Sequence, residues 1–176
     1  MDISSHEPSY LLFWDHRRTG DEPVGPWLLS QWWPLGFTLD GVAYAQAEQF
    51  MMAEKARIFG DEETRAAILA TSSPQRAKEL GRAVHGYDTG TWEQHRLEVV
   101  ARGSTAKFGQ DDEARAYLLG TGDRVLVEAS PVDTIWGIGR AADDPAALDP
   151  ARWRGRNLLG VALGRAREAL ADGSGS

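Results

Sequence analysis

Gly36-Phe-Thr-Leu-Asp-Gly41-Val-Ala-Tyr44-Ala-Gln46-Ala-Glu48-Gln-Phe-Met-Met-Ala-Glu-Lys55 is the stretch whose reading decides the fold. Its first half alternates apolar residues around Asp40-Gly41, the dipeptide favoured in a two-residue hairpin turn, so Phe37–Leu39 should pair with Val42–Tyr44. Its second half consists of strong helix formers without Gly or Pro. A helix is therefore predicted from Gln46 to Phe59, closed by Gly60 as C-cap. A tight hairpin running into a helix, followed by more helices, is not the regular strand–helix alternation of a doubly wound sheet.

Asp61 opens a second predicted helix over Glu62–Ala70. Ser73-Pro74 supplies an N-cap and a proline at the first helical position for a third helix, which ends near Val84. Trp92, Leu97, Val100 and Ala101 recur at helical spacing within Thr91–Phe108, where Gly103 weakens the pattern. Asp111–Leu119 carries acids in its first turn, where they complement the helix dipole, and Asn157–Leu170 is amphipathic. Tyr10-Leu-Leu-Phe-Trp14, Val125-Leu-Val127 and Thr134-Ile-Trp136 are short strand candidates, and Asp15–Pro26 is a loop. The sum is a mostly helical α+β domain with a small sheet of short strands. It spans residues 1–171, with 172–176 as a flexible Gly/Ser tail.

Charge and composition narrow the function classes. The 176-residue chain has a net charge of −7 and no cysteine, which excludes disulfide frameworks, thiol nucleophiles and cysteine-bound metals. His6, His16, His85 and His95 show no metal-ligand spacing, so neither a metal nor a cofactor is expected. The acidic balance argues against a general nucleic-acid coat. The N-terminus lacks a signal-peptide pattern and no apolar run reaches membrane-spanning length, so a cytoplasmic protein without a membrane partner is expected. Seven Trp residues provide flat faces for a core or for stacking on a heterocycle.

Three places could carry chemistry. Glu48 and Lys55, seven residues apart on the predicted helix, lie on one face about 10.5 Å apart along its axis. Two such charges are ordinarily just solvated, but here Phe50, Met51 and Met52 accompany them. Asp133 precedes Trp136-Gly137 after a strand and a turn containing Pro131, which would bring a carboxylate and an indole face together. An Asp bonding its own turn backbone is the plainer alternative. Arg152, Arg154 and Arg156 precede the last helix, whose N-terminus would attract an anion, unless they form only a solvated basic turn.

Taken together, separated motifs give the chain a family resemblance over roughly residues 10–170. They are Phe13-Trp14, Phe37-Thr-Leu-Asp-Gly41-Val-Ala-Tyr44 with Glu48 and Ala53-Glu-Lys55, Trp92, Lys107-Phe108, and Leu118-Leu-Gly-Thr-Gly122. They continue with Leu126-Val-Glu128-Ala-Ser-Pro, Asp133-Thr-Ile-Trp136-Gly and Gly155-Arg-Asn157-Leu-Leu-Gly160. The chain resembles the NADAR superfamily, whose best-known branch is the YbiA-like N-glycosidases. The resemblance implies hydrolysis of an N-ribosyl bond. One branch acts on early phosphorylated riboflavin intermediates, releasing ribose 5-phosphate. Another removes ADP-ribose from guanine in DNA, opposing a toxin partner. A non-catalytic ADP-ribose or nucleotide-binding module is the third alternative.

The matching positions imply Glu48, Lys55 and Asp133 as catalytic residues. Glu48 would activate water or shuttle a proton and Asp133 would stabilise charge, or the two roles are exchanged. Lys55 would attack an opened ribose as an amine, bind phosphate, or pair with Glu48. Trp92 and Trp136 would sandwich the base, and Arg154, Arg156 or Lys107 would hold the phosphate. Phe13, Trp14, Tyr44, Gly137 and Asn157 complete the expected substrate-binding set. The chain departs from the family at Ala45-Gln46-Ala47-Glu48-Gln49, where the usual run is Pro-Thr-Ser-Glu-His. It departs again at Met52, at the Asp15–Pro26 loop and at Gln31-Trp32-Trp33.

Overall fold

The computed structural model describes residues 9–173. The expected signal-free start falls largely on residues 1–8 and the tail largely on 174–176, outside the described residues. Strand β1 (Tyr10–Phe13) lies parallel to β4 (Val125–Glu128), pairing Tyr10 with Val125 and Phe13 with Glu128. The hairpin β2 (Phe37–Leu39) and β3 (Val42–Tyr44) pairs as its sequence demands, with Asp40 at φ 50° and Gly41 at φ 77° in the turn. These positive dihedrals are what Asp-Gly tolerates in a primed turn.

Among the described residues there are six α-helices: α1 (Ala47–Ile58), α2 (Glu62–Leu69), α3 (Pro74–Arg82), α4 (Thr89–Gly109), α5 (Asp112–Gly120) and α6 (Leu158–Asp172). Four start on side-chain caps. Asp61, Ser73, Asp88 and Asp111 accept from the amides of Thr64, Arg76, Thr91 and Ala114. Each bond satisfies one of the amides a helix start leaves open. The helices match their predicted spans to within two residues, and α6 reaches Asp172, the first residue of the expected tail.

The interior of α4 carries Gly103 without a break, because a Cβ there would lie 2.5 Å from the Phe50 ring. That glycine serves the close approach of α1 and α4. Phe37, Tyr44 and Phe50 form an aromatic knot between hairpin and helix, with centroids 5.0–5.8 Å apart. The result is an α+β domain in which α1 is the central helix, buried over most of its length.

The expected strand at Thr134–Trp136 does not form. Asp133 Oδ1 accepts the amides of Ile135 (2.8 Å) and Trp136 (2.7 Å), bending the chain into an Asx turn. The carbonyls of this segment face the chain before and within α6. Arg156, Leu158 and Leu159 donate to Thr134, Ile135 and Trp136. No helix among the described residues is long and apolar enough to cross a membrane.

Candidate active site

The ends of β1 and β4, the first turns of α1, and α3 surround a cleft of about 970 Å³. Phe13 stays in the core and the next residue, Trp14, opens into the cleft, half exposed at 50%. Glu128 ends β4 opposite Phe13 and also lines the cleft. Beyond it come Ser130, Asp133 and Trp136, while α1 contributes Glu48, Met51, Met52 and Lys55. Ser30, Gln31 and Trp32 supply a rim, with His16 against Trp32 at 5.6 Å between ring centroids.

Glu48 sits in the first turn of α1, where its backbone amide donates to Gln31 O at 3.0 Å. The residue is 3% exposed and its Oε1 is buried without a partner. Burial pushes the carboxyl up to about 7, against the pull of the Lys78 charge and the Trp32 indole. The departures around it have a structural use. Gln49 accepts from Ala45 N (2.7 Å) and donates to Ile68, Leu69 and Thr71 carbonyls, while Gln46 donates to Ser72 O. Both glutamines tie α1 to the end of α2 and to the α2–α3 link.

Lys55 donates to Gly81 O at 2.8 Å and lies 4.3 Å over the Tyr87 ring and 5.9 Å from that of Trp92. It forms no ion pair with Glu48, which removes that reading of the pair. Burial, aided by the neighbouring Arg82 charge, lowers its ammonium from the ordinary lysine value. Asp133 commits Oδ1 to its turn amides, which leaves Oδ2 for a ligand.

Of the thirteen expected residues, the cleft gathers Trp14, Glu48, Lys55, Trp92, Asp133 and Trp136. The others lie elsewhere for definite reasons. Phe13 and Tyr44 are core residues, 4% and 5% exposed. Lys107 is fully buried and donates to Leu28 O (2.7 Å) and Ser30 O (2.9 Å), and burial pushes its ammonium down to about 7. It braces the rim segment from behind and does not line the cleft. Gly137 is small because a Cβ would come within 2.9 Å of Glu128 O.

Asn157, at φ 52°, donates to Leu126 O (2.9 Å) and accepts from Glu128 N (3.0 Å). Arg156 faces Glu93 at 3.8 Å, and neither it nor Arg154 lines the cleft. The expected anion site at the start of α6 is taken up internally. Its first amides, Leu158 N and Leu159 N, donate to Ile135 O and Trp136 O.

Among the cleft residues with chemistry that escaped the sequence reading are Glu128, Lys78 and Arg82. Glu128 Oε2 is buried without a partner, and burial, reinforced by the Asp133 and Glu48 charges, pushes the carboxyl up to about 8. The signal was its place in Glu128-Ala-Ser-Pro, where a strand ends and a Pro turn begins. Among the described residues no group of three or more His, Asp or Glu is arranged to hold a metal ion.

Two carboxyls, each with one buried and unpartnered oxygen, and several indole faces around one cleft are the parts of an acid–base enzyme for a flat, ring-bearing substrate. A family model of the NADAR domain matches residues 12–171. N-glycosidase R617 of Acanthamoeba polyphaga mimivirus is 40% identical over 150 residues, covering 82% of this chain and 88% of that protein. N-glycosidase YbiA of Escherichia coli (strain K12) is 34% identical over 139 residues, covering 79% and 77%. The NMR structure of the E. coli protein YbiA matches with a TM-score of 0.75 at 27% identity, over 96% of this chain and 88% of that one. The chain belongs to the NADAR family.

Proposed function

We propose that this chain is a cytoplasmic N-glycosidase that hydrolyses the N-ribosyl bond of early phosphorylated riboflavin-biosynthesis intermediates, releasing ribose 5-phosphate. The observation that carries this reading is the Glu48 carboxyl, buried in an aromatic cleft with one oxygen unpartnered. A buried carboxyl without a partner is destabilising, and such groups collect where chemistry needs them.

Breaking the bond requires a proton for the leaving nitrogen, an activated water, and compensation of positive charge at the anomeric carbon. Glu128, held protonated through neutrality by burial and by its acidic neighbours, donates the proton. Glu48, half ionised near neutrality, activates water. Asp133, through Oδ2, faces the developing charge, while Trp92 and Trp136 provide stacking surfaces for the base. Lys55 offers a second route through the same groups. Its amine attacks C1 of the opened ribosylamine, the leaving amine departs with the proton from Glu128, and water then releases the sugar from the imine.

The His16–Trp32 ring pair at the rim, in the same cleft as Trp14, favours one other reading, an ADP-ribosyl-guanine hydrolase acting on DNA and opposing a toxin. There the adenine would occupy this surface. Turnover of a ribosylamine 5′-phosphate and of an ADP-ribosylated oligonucleotide, read by mass spectrometry with Glu48→Gln and Asp133→Asn as controls, separates the two. Ribose 5-phosphate released from the first and lost in both variants is the expected result. ADP-ribose from the second would make the chain the DNA-directed enzyme, and silence on both would leave a nucleotide-binding module.

A further inference from the structure

The phosphate expected at Arg154, Arg156 or Lys107 has no cation in the cleft at those positions, yet one wall of the cleft is cationic. Lys78 and Arg82, four residues apart on α3, both line it. Residues at this spacing are neighbours on a helix face, with Cβ atoms about 5–6 Å apart, near enough to hold one phosphate between them. Their neighbour Arg76 is paired with Glu79 at 3.1 Å and belongs to the solvent side. Lys78 lies 5.8 Å from the Trp32 ring and its charge reaches Glu48 and Glu128, but neither Lys78 nor Arg82 makes a hydrogen bond or ion pair among the described residues.

The wall is also fixed in place. Lys55 Nζ holds the Gly81 carbonyl between the two cations, and Gly81 lets α3 close on Met52, whose Sδ would lie 2.0 Å from a Cβ there. In a chain of net charge −7, two cations that line the same cavity and form no salt bridge among the described residues have a ligand-side explanation. Opposite in sign stand Glu48, Glu128 and Asp133. The cleft is thus polarised, with an acidic part for the scissile bond and a cationic part for an anionic end of the same molecule.

We propose that Lys78 and Arg82 are the phosphate clamp of this enzyme, holding the phosphomonoester on the substrate's ribose through charge-assisted hydrogen bonds. The assignment rests on the phosphorylated-substrate reading above and replaces the cations expected from sequence. Arg82 supplies a planar fork that suits two phosphate oxygens, and Lys78 a point charge anchored over Trp32.

Calorimetric titration of the whole chain with ribose 5-phosphate and with ribose tests the clamp without requiring turnover. The phosphate ester should bind and ribose should bind at least tenfold more weakly. The pair Lys78→Ala with Arg82→Ala should weaken the ester at least tenfold and leave ribose unchanged. Exchanging the cations, Lys78→Arg with Arg82→Lys, should restore most of the affinity, and Arg154→Ala with Arg156→Ala should change nothing. Equal binding of sugar and ester, no binding of the ester, or loss only in the Arg154/Arg156 variant would overturn the clamp while leaving hydrolysis to be judged by its own assay. Ester binding through α3 by a chain that cleaves no ribosylamine would keep the clamp and sink the hydrolase reading.

Discussion

At the scale of single residues, Glu48 and Glu128 divide the work by environment. Glu48 must be ionised to take a proton from water and Glu128 must hold a proton to give one, so activity should fall both below about pH 7 and above about pH 8. The two share one cavity, so the limbs of that narrow bell belong to the pair. Glu128→Gln should flatten the alkaline limb and Glu48→Gln the acid limb, each lowering kcat by about 10²–10⁴-fold. A pH–rate profile of each variant checks the assignment, and swapped limbs would swap the roles. Lys55 can be tested in the same preparation. Its lowered ammonium predicts that borohydride added during turnover leaves a ribosyl phosphate adduct on Lys55. Intact mass unchanged while product still forms would leave direct attack by water as the route.

Between elements, the decisive piece is the bend at residues 133–139 and its fastening to α6. Asn157 is the bolt: its amide group bridges Leu126 O and Glu128 N while its backbone occupies the left-handed region. Asn157→Ala strands two backbone groups on β4 and strains φ, a combined cost of roughly 2–4 kcal/mol. The melting temperature should drop, and kcat should drop too because the carboxyl at the end of β4 loses its anchor. A variant that melts early but turns over normally would show that the bolt serves stability alone. The same fastening explains what the sequence withheld. The hairpin and the helices were legible because Asp40-Gly41, Ser73-Pro74 and Asp111 act within a few residues of themselves. The bend was not, since most of its carbonyls accept from amides between residues 154 and 159, a partner set that strand periodicity does not reveal. Glu48, Lys55, Asp133 and the Trp92 and Trp136 faces could be found from motif resemblance. Lys107 could not be told from a ligand-binding lysine, because burial against Leu28 and Ser30 depends on how α4 crosses a segment nearly eighty residues earlier. Lys78 and Arg82 looked like an ordinary solvated helix face until the cleft gave that face a side.

For the molecule as a whole, the cleft acids set how stability depends on pH. A carboxyl whose folded-state value is raised binds its proton in the native state where the unfolded chain has lost it. Its favourable contribution is therefore complete below the unfolded value of about 4.5 and disappears as pH rises through the folded one. Glu48 and Glu128 thus make stability decline between about pH 4.5 and 8. Asp61 works in the opposite sense. The Thr64 and His85 groups that donate to it hold it well below the carboxylate range, so its contribution is complete above the unfolded value of about 3.8 and is lost progressively as pH falls below it. Lys107, pushed down to about 7, makes stability recover between about 7 and 10.5, where the unfolded chain keeps a proton that the folded one has given up. The expected curve has a maximum near pH 5, a minimum near pH 7–8 and a rise beyond. Glu48→Gln combined with Glu128→Gln should abolish the first decline and raise stability at pH 8, while changing little at pH 4. Denaturant melts of parent and double variant at these two pH values measure it. Equal gains at both would trace the effect to packing rather than ionisation. A gain confined to pH 8 in a variant that no longer turns over would mean that the same two carboxyls lower stability at the pH where the bell-shaped profile places activity.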